Sequence, residues 1–357
     1  MPTFRPDLAD IPVYRPGRTP DEVRRELGLE RVIKLASNEC PYEPFAPVVE
    51  AVARAASRVN RYPDNGTHEL RQALGSFLGV MPQQLWIGGG SNELMYVTAL
   101  AAGGPGTSAV YAAPSFGLYR IATKLAMAHG IEVPLDAEDR HDLERMFAAI
   151  RPDTTVVYLC NPNNPTGTYV PAADVGAFVD AVPDRVLVVI DEAYMEFAVA
   201  DDFASGLPLA LEHDNVVVAR TFSKAYGLAG LRAGYFVGSA ATLDELRRIQ
   251  LPFSVSTLSQ VAAIEALRHQ DLVAERVRAN RKTLTMLTEG LAHRGIAFAE
   301  SQTNFVYVRP PMDPTECFEG LQALGVIVRD VGDAIRVSVG TDEENRQVLD
   351  ALDAVLG

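Results

Sequence analysis

Short apolar runs rich in β-branched residues alternate with helical patterns between about residues 84 and 240. Runs of this length that are apolar on both faces are typical of a parallel sheet covered by helices. The alternation therefore predicts a doubly wound α/β domain, in which functional groups collect at the carboxyl ends of the strands. The predicted strands lie at residues 85–87, 109–111, 155–159, 186–190, 216–218 and 235–237.

The pattern changes beyond about residue 250, where it predicts a smaller α+β domain. The predicted elements of that domain are helices at 257–295, at 315–324 and from 342, and strands at 304–308, 326–328 and 335–339. The predicted fold class is thus α/β. A large domain over residues 31–250 carries a mostly parallel sheet flanked by helices, and a small α+β domain covers residues 251–357.

The first thirty residues are rich in proline and arginine and show no clear periodicity. Their prolines are expected to break any helix, because proline lacks a backbone N–H and clashes with the preceding turn. Apolar side chains in this segment favour an extended N-terminal arm, residues 1–30, that docks on the rest of the protein. A frayed terminus is the alternative. The prolines are Pro2, Pro6, Pro12, Pro16 and Pro20, and the apolar side chains are Phe4, Ile11, Val13 and Tyr14.

Composition and charge narrow the class of protein. Of the 357 residues, 48% are apolar and 22% are charged, which supports a large core and argues against wholesale disorder. The formal net charge of −14 excludes nucleic acid or an anionic membrane as the main partner. The three cysteines are far apart, so neither a disulfide framework nor a metal site is expected. We expect a cytoplasmic protein without a signal peptide or a membrane span.

Lysine is scarce, and one lysine stands at the end of a predicted strand. Lys224 follows the apolar run at 216–218 and is surrounded in sequence by Gly227, Gly230 and Gly234. A lysine that is desolvated in such a place can lose its proton and form a Schiff base with a carbonyl. By itself the position also fits a structural lysine in a loop.

Three other polar segments follow predicted strands at the same edge of the sheet. Asp191 ends the run at 186–190, where a buried carboxylate either faces a cation, such as a protonated pyridine nitrogen, or caps the next turn. The Asn- and Pro-rich segment 161–167 is either a plain turn or a ligand contact. The Gly-rich segment 88–93 either offers backbone N–H groups to a phosphate or simply starts a helix. It lacks both the dinucleotide fingerprint and the P-loop ending. Together with Lys224, these segments favour a phosphorylated pyridine cofactor.

Motifs in a characteristic order cover essentially the whole chain. They are Ser37-Asn38-Glu39, Asn60-Arg61-Tyr62-Pro63-Asp64, Asn164-Pro165-Thr166-Gly167, Asp191-Glu192-Ala193-Tyr194, Ser223-Lys224 with Gly227 through Arg232, and residues 335–341. In order and spacing these motifs resemble the class I and II pyridoxal-phosphate aminotransferases. Within that family the chain most resembles the histidinol-phosphate and aromatic-amino-acid branch.

The resemblance implies that the cofactor is pyridoxal 5′-phosphate and that Lys224 bonds to it as a Schiff base and moves protons. It also implies that Asp191 keeps the pyridine nitrogen protonated, while Asn164 and Tyr194 hydrogen-bond the 3-oxygen of the ring. Phe116 would stack on the ring, at a position where many relatives have tyrosine. The implied phosphate ligands are Ser91, Asn92, Ser223 and Arg232, together with Tyr62 from the neighbouring subunit, so the resemblance implies a homodimer.

For the substrate, the resemblance implies that Arg336 clamps an α-carboxylate through a bidentate fork. If the donor is histidinol phosphate, Arg336 and Arg329 would instead face its phosphate, together with Tyr14 from the arm. Asn38 is also assigned to the substrate side of the site. Arg329 as a solvated strand end and Tyr14 as an anchor of the arm remain alternatives.

The sequence therefore predicts a ping-pong aminotransferase that moves the amino group of a small-molecule donor to a 2-oxo acid, 2-oxoglutarate. The favoured donor is an aromatic amino acid, and histidinol phosphate is the alternative. A lyase that decarboxylates a phosphorylated amino acid with the same cofactor is a further candidate. A non-catalytic, DNA-binding regulator is disfavoured by the negative charge, and a nicotinamide-dependent dehydrogenase by the missing fingerprint.

Overall fold

A computed structural model describes residues 2–13 and 17–357, which form helices packed around a seven-stranded sheet, a four-stranded sheet and a two-stranded sheet. The strands are β1 (Ile33–Lys34), β2 (Leu85–Gly88), β3 (Ser108–Ala113), β4 (His129–Pro134), β5 (Thr154–Cys160), β6 (Leu187–Asp191), β7 (Val216–Thr221), β8 (Gly234–Gly238), β9 (Ala297–Phe298), β10 (Phe305–Arg309), β11 (Val326–Ile327), β12 (Arg329–Asp330) and β13 (Ile335–Ser338). The α-helices are α1 (Pro20–Leu27), α2 (Ala46–Ala55), α3 (His68–Leu78), α4 (Ser91–Ala102), α5 (Leu118–Leu125), α6 (Leu143–Ala148), α7 (Ala172–Ala181), α8 (Leu207–Glu212), α9 (Ala240–Arg247), α10 (Thr257–Leu267), α11 (Gln270–His293), α12 (Pro314–Ala323) and α13 (Asp342–Leu356).

The large sheet has seven strands in the order β2-β8-β7-β6-β5-β3-β4. Strands β3 to β7 are parallel, and β8 runs antiparallel to both of its neighbours. All six strands predicted at residues 85–237 lie in this sheet, and the predicted fold class is confirmed. Strand β4 was not predicted, because it is an edge strand in which only Val133 is buried and which contains Gly130 and Pro134.

The central strands are buried on both faces, as a parallel sheet between helix layers requires. In β5, Val157 and Leu159 pack into a core cluster on one face, while Val156 and Tyr158 pack into another on the opposite face. Since both faces are covered, polar side chains meet solvent mainly at the strand ends. This arrangement places the ends of β5, β6 and β7 at the floor of a cavity.

The small sheet is antiparallel, with the order β12-β13-β10-β9. It packs on α11 and α13 through a separate core cluster that includes Leu287, Val337 and Leu352. The helix predicted over 257–295 is two helices, since the chain breaks between α10 and α11. Strand β1 pairs with β11, so the start of the predicted large domain lies against the predicted small one. The boundaries at residues 30 and 250 stay a prediction.

The N-terminal segment lies on the end of α5 through polar contacts. Arg5 donates to the Leu125 carbonyl at 3.0 Å, and the Lys124 ammonium donates to the Asp10 carbonyl at 2.8 Å. Of the apolar side chains expected to dock the arm, Phe4 and Val13 are 70% and 84% exposed, whereas Ile11 is partly buried. Within residues 2–13 and 17–357, every helix is too short or too polar to span a bilayer.

The expectation that the prolines of this segment exclude helices is wrong at Pro20. Pro20 is the first residue of α1, where Thr19 caps the helix and exchanges hydrogen bonds with Glu22 in a capping box. Proline is tolerated at this position because the N–H that it lacks would have no partner inside the helix.

Candidate active site

A cavity of about 650 Å³ opens at the carboxyl ends of the central strands, between the large sheet and the small one. It gathers most of the residues that the sequence assigned to a site. Those that line it are Asn38, Ser91, Asn92, Phe116, Asn164, Asp191, Tyr194, Ser223, Lys224, Arg232, Arg329 and Arg336. Two assigned residues are not among them, since Tyr62 lies elsewhere on the surface and Tyr14 falls outside the described residues.

Lys224 follows β7 and extends into the cavity. Its ammonium donates a hydrogen bond to the Ser37 carbonyl at 3.1 Å, and lies 5.7 Å from the centre of the Tyr194 ring. Desolvation lowers the pKa of Lys224 to about 7, and the positive charges of Arg336 and Arg232 act in the same direction. A large share of this amine is therefore uncharged at neutral pH and is able to attack a carbonyl carbon.

Asp191 ends β6 and is buried at the base of the cavity. The Tyr119 hydroxyl donates to its Oδ2 at 2.8 Å, and the Ala193 N–H donates to its Oδ1 at 3.2 Å. Burial raises the pKa of Asp191 to about 6, while these two hydrogen bonds and the nearby Lys224 oppose that rise. The carboxylate stays mainly ionised at neutral pH, as a partner of a ring cation must be.

Tyr194 and Asn38 form a connected pair in the cavity wall. The Asn38 amide donates to the Tyr194 hydroxyl oxygen at 2.9 Å, and its carbonyl oxygen accepts from the Ser338 hydroxyl at 3.0 Å. Because the Tyr194 oxygen is already an acceptor, its own hydrogen is directed to another acceptor, such as a ring oxygen. Asn38 has a positive φ of 53°, a conformation that asparagine adopts more readily than most residues.

Asn164 and Arg336 meet in the lining of the same cavity. Arg336 comes from β13, and its two terminal nitrogens donate to the Asn164 side-chain oxygen and to the Ala36 carbonyl. These bonds fix the plane of the guanidinium and turn the amide nitrogen of Asn164 into the donor that remains for a ligand. Arg336 stands opposite Arg329 on the neighbouring strand β12.

The Gly-rich segment after β2 forms an anion cradle with Arg232. Ser91 and Asn92 open α4, whose first backbone N–H groups have no acceptor within the helix and carry the positive end of its dipole. Arg232 reaches the same place, with its terminal nitrogens 3.5 Å from the Ser223 hydroxyl and the Gly89 carbonyl. This concentration of donors suits a phosphate group.

Phe116 lines the same cavity. Its ring meets that of Tyr119 edge-on, with centroids 5.6 Å apart and planes at 90°. The face of Phe116 is a stacking surface for an aromatic ligand, although this residue offers no hydroxyl.

Tyr119 and Ser37 contact the assigned residues but were not assigned to the site. Tyr119 lies three residues after Phe116 and is buried itself, and a buried hydroxyl needs a partner. That was the one available signal for it. Ser37 contacts Lys224 through its backbone carbonyl. Because every residue has such a carbonyl, the residue type at position 37 gave no signal of this contact.

The arrangement fits a phosphorylated pyridine aldehyde in three respects. The N–H groups of α4 and Arg232 would face the phosphate, the buried carboxylate of Asp191 would face the ring nitrogen, and the Lys224 amine would face the carbonyl carbon. Among the residues that the structure describes, no group of three or more His, Cys, Asp or Glu side chains is placed to hold a metal ion.

Comparisons with known proteins agree with this geometry. Residues 30–352 match the family model described as aminotransferase class I and II. A histidinol-phosphate aminotransferase from Geobacillus thermodenitrificans is 41% identical over 354 residues, which is 98% of this chain and 97% of the relative. The histidinol-phosphate aminotransferase from Brevibacillus brevis is 41% identical over 355 residues, with coverage of 98% and 97%.

Solved structures of aminotransferases also have the fold of this chain. The histidinol-phosphate aminotransferase from Sinorhizobium meliloti, in complex with pyridoxal-5′-phosphate, superimposes with a TM-score of 0.91 at 30% identity and covers 99% of this chain and 97% of its own. An aspartate aminotransferase from Thermus thermophilus has a TM-score of 0.86 at 22% identity, with coverage of 99% and 100%. At that identity the likeness shows the fold alone.

Proposed function

The chain belongs to the class I and II aminotransferases and uses pyridoxal 5′-phosphate, and from this premise we propose that its amino donor is histidinol phosphate and its acceptor 2-oxoglutarate. The sequence favoured an aromatic amino acid as donor. Relatives that are 41% identical over nearly the whole chain bear the name of the alternative, and they support histidinol phosphate instead.

The observation that carries this choice of donor is the pair formed by Arg329 and Arg336. They are direct partners across the antiparallel strands β12 and β13, and both line the cavity. Side chains of direct partners project to the same face of a sheet, so the two guanidinium groups are neighbours. A carboxylate has two oxygens and one negative charge, so one guanidinium group can bind it. A phosphate ester has more oxygens and a second negative charge, so two guanidinium groups suit it better.

The remaining residues have roles that follow from their contacts. When bound, pyridoxal phosphate supplies a carbonyl carbon for the donor nitrogen and a ring that accepts electrons from the substrate Cα. The Lys224 amine, largely uncharged at neutral pH, would hold the cofactor through that carbon and would accept the proton that leaves Cα. Asp191 would keep a proton on the ring nitrogen, while Tyr194 and Asn164 would donate hydrogen bonds to the ring oxygen.

A donor titration tests the proposal. Histidinol phosphate, phenylalanine and tyrosine are added separately to the holoenzyme, and loss of its visible absorbance is followed before 2-oxoglutarate restores it. We expect histidinol phosphate to react with a kcat/KM on the order of a hundredfold above the aromatic amino acids, because only it engages both arginines. Conversion by the aromatic amino acids alone would overturn this choice of donor. Release of carbon dioxide without a 2-oxo acid would identify the lyase instead.

We also infer that the active form is a homodimer. Tyr62 is 82% exposed and stacks on Phe253, with ring centroids 4.6 Å apart. A large exposed aromatic pair is typical of a surface that another chain covers. In a dimer, Tyr62 would reach the phosphate end of the partner's site. We expect this dimer to be located in the cytoplasm.

A further inference from the structure

A buried tyrosine outside the cavity holds the carboxylate at the base of the site. Tyr119 has no exposed surface and is not among the residues that line the cavity. Its hydroxyl donates to Asp191 Oδ2 at 2.8 Å. Since it is shielded from the cavity, we expect any effect that it has on the reaction to pass through Asp191.

The ring of Tyr119 is held by neighbouring aromatic side chains. Tyr158 of β5 stacks on it with centroids 4.7 Å apart and planes at 11°. Phe116, at the cavity wall, meets it edge-on at 5.6 Å. A ring fixed by contacts of this kind keeps its hydroxyl at one place, so the hydrogen bond also fixes the orientation of the Asp191 carboxylate.

In the hydrogen bond between Tyr119 and Asp191, the phenol is the donor and the carboxylate is the acceptor. Burial and the negative charge of Asp191 raise the pKa of the Tyr119 phenol well above its usual value, so the phenol keeps its proton and is the donor. A donor that contacts a carboxylate stabilises its ionised form. Here that effect opposes the burial of Asp191, which favours the protonated form.

We propose that Tyr119 is a positioning residue, whose hydroxyl orients the Asp191 carboxylate toward the pyridine nitrogen and keeps it ionised, so that the nitrogen retains its proton. The proposal rests on the role proposed for Asp191. A single proton is involved, shared between the ring nitrogen and a carboxylate oxygen, and no other bond changes. Without the Tyr119 hydroxyl the carboxylate would be more basic, and this proton would move from the nitrogen to Asp191.

The experiment compares Tyr119→Phe with Tyr158→Phe as a matched control. Both changes remove one hydroxyl from the same aromatic stack, but the Tyr158 hydroxyl is buried without a hydrogen-bond partner among the described residues and does not contact Asp191. Each variant and Asp191→Asn is reconstituted with pyridoxal phosphate labelled with ¹⁵N in the ring. The ¹⁵N resonance reports ring protonation directly, and thermal unfolding and the cofactor Kd are measured alongside.

We expect Tyr119→Phe to move the ring resonance toward that of unprotonated pyridine, in the direction of Asp191→Asn, and to raise the cofactor Kd roughly tenfold. Tyr158→Phe should leave both unchanged. A wild-type resonance in Tyr119→Phe, when Asp191→Asn has shifted, would overturn the proposal, as would equal shifts in the two tyrosine variants. Failure of Tyr119→Phe to fold would also overturn it, since the hydroxyl would then be structural. An unshifted resonance in Asp191→Asn would mean that the role proposed for Asp191 itself fails.

Discussion

The guanidinium of Arg232 occupies the space that a side chain at Gly90 would need. A Cβ atom placed on Gly90 would lie 2.5 Å from the Nη2 atom of Arg232. Gly90 also has a φ of +92°, a backbone conformation that favours glycine. The absent side chain lets the turn after β2 and the Arg232 guanidinium converge, which brings the donors of the anion cradle together.

We therefore predict that Gly90→Ala weakens cofactor binding through the phosphate. The methyl group displaces Arg232 and strains the turn, so the Kd of the apoenzyme for pyridoxal phosphate should rise about tenfold or more, as expected for loss of a charge-assisted hydrogen bond. Fluorescence titration measures this. Pyridoxal, which lacks the phosphate, should bind as before, and equal weakening for both ligands would contradict the explanation. Gly176→Ala is the control, since a Cβ there meets nothing within 4 Å.

The strand ends of the site could be predicted from sequence because each follows a continuous apolar run. The positions of Lys224, Asp191 and Asn164 relative to β7, β6 and β5 needed only the rule that parallel strands end at one edge. The contacts among them could not be predicted in this way. The bond from Tyr119 to Asp191 joins α5 to β6 across 72 positions of sequence, and only the packed structure brings them together.

Strand β4, helix α1 and the contacts of the N-terminal segment were not predicted, and each has a physical reason. Strand β4 lacks an apolar run because it lies at the edge of the sheet, where one side needs no partner. Helix α1 was not predicted because Pro20 was interpreted as a helix breaker, whereas proline is also common at the first position of a helix. The N-terminal segment is held by hydrogen bonds from Arg5 and Lys124 to backbone carbonyls. Because every residue has a backbone carbonyl, the sequence does not show which ones accept these bonds.

The pKa of Lys224 leads to a pH prediction. Because it is lowered to about 7, the rate at which the apoenzyme attaches pyridoxal phosphate, trapped with borohydride, should rise with pH and level off just above 7. A lysine with its usual pKa near 10.4 would keep gaining about tenfold per pH unit up to that value. Continued increase to pH 10 would contradict the lowered pKa.

Arg336→Gln sharpens this test. Removing that positive charge makes protonation of Lys224 easier, so the midpoint of the rate profile should move to higher pH. Lys282→Gln is the control, since the Lys282 ammonium is exposed and pairs with Asp342. It should leave the profile of Lys224 unchanged.

Arg329 is predicted to contribute to donor binding. Arg329→Gln removes one of two guanidinium groups from the proposed phosphate subsite, and should raise the KM for histidinol phosphate roughly 10- to 100-fold with a smaller change in kcat. The half-reaction with glutamate should change less, because a carboxylate is served by Arg336. Stopped-flow absorbance separates the two half-reactions. Arg281→Gln, an exposed arginine on α11, is the charge-matched control. Equal losses in both half-reactions would argue against a phosphate contact for Arg329.

The proposed role of Tyr62 across the dimer leads to a complementation test. Lys224→Ala subunits lack the reactive amine, and Tyr62→Ala subunits lack a phosphate contact, so each homodimer should have little activity. In a mixed dimer, one site combines the intact Lys224 of one subunit with the intact Tyr62 of the other. Random mixing makes half of the dimers mixed, with one restored site in two, so activity should recover to about a quarter of the wild-type value. If Tyr62 served its own subunit, no intact site would form and mixing would restore nothing. Mixing Lys224→Ala with the double variant is the matched control, because no subunit then carries the amine.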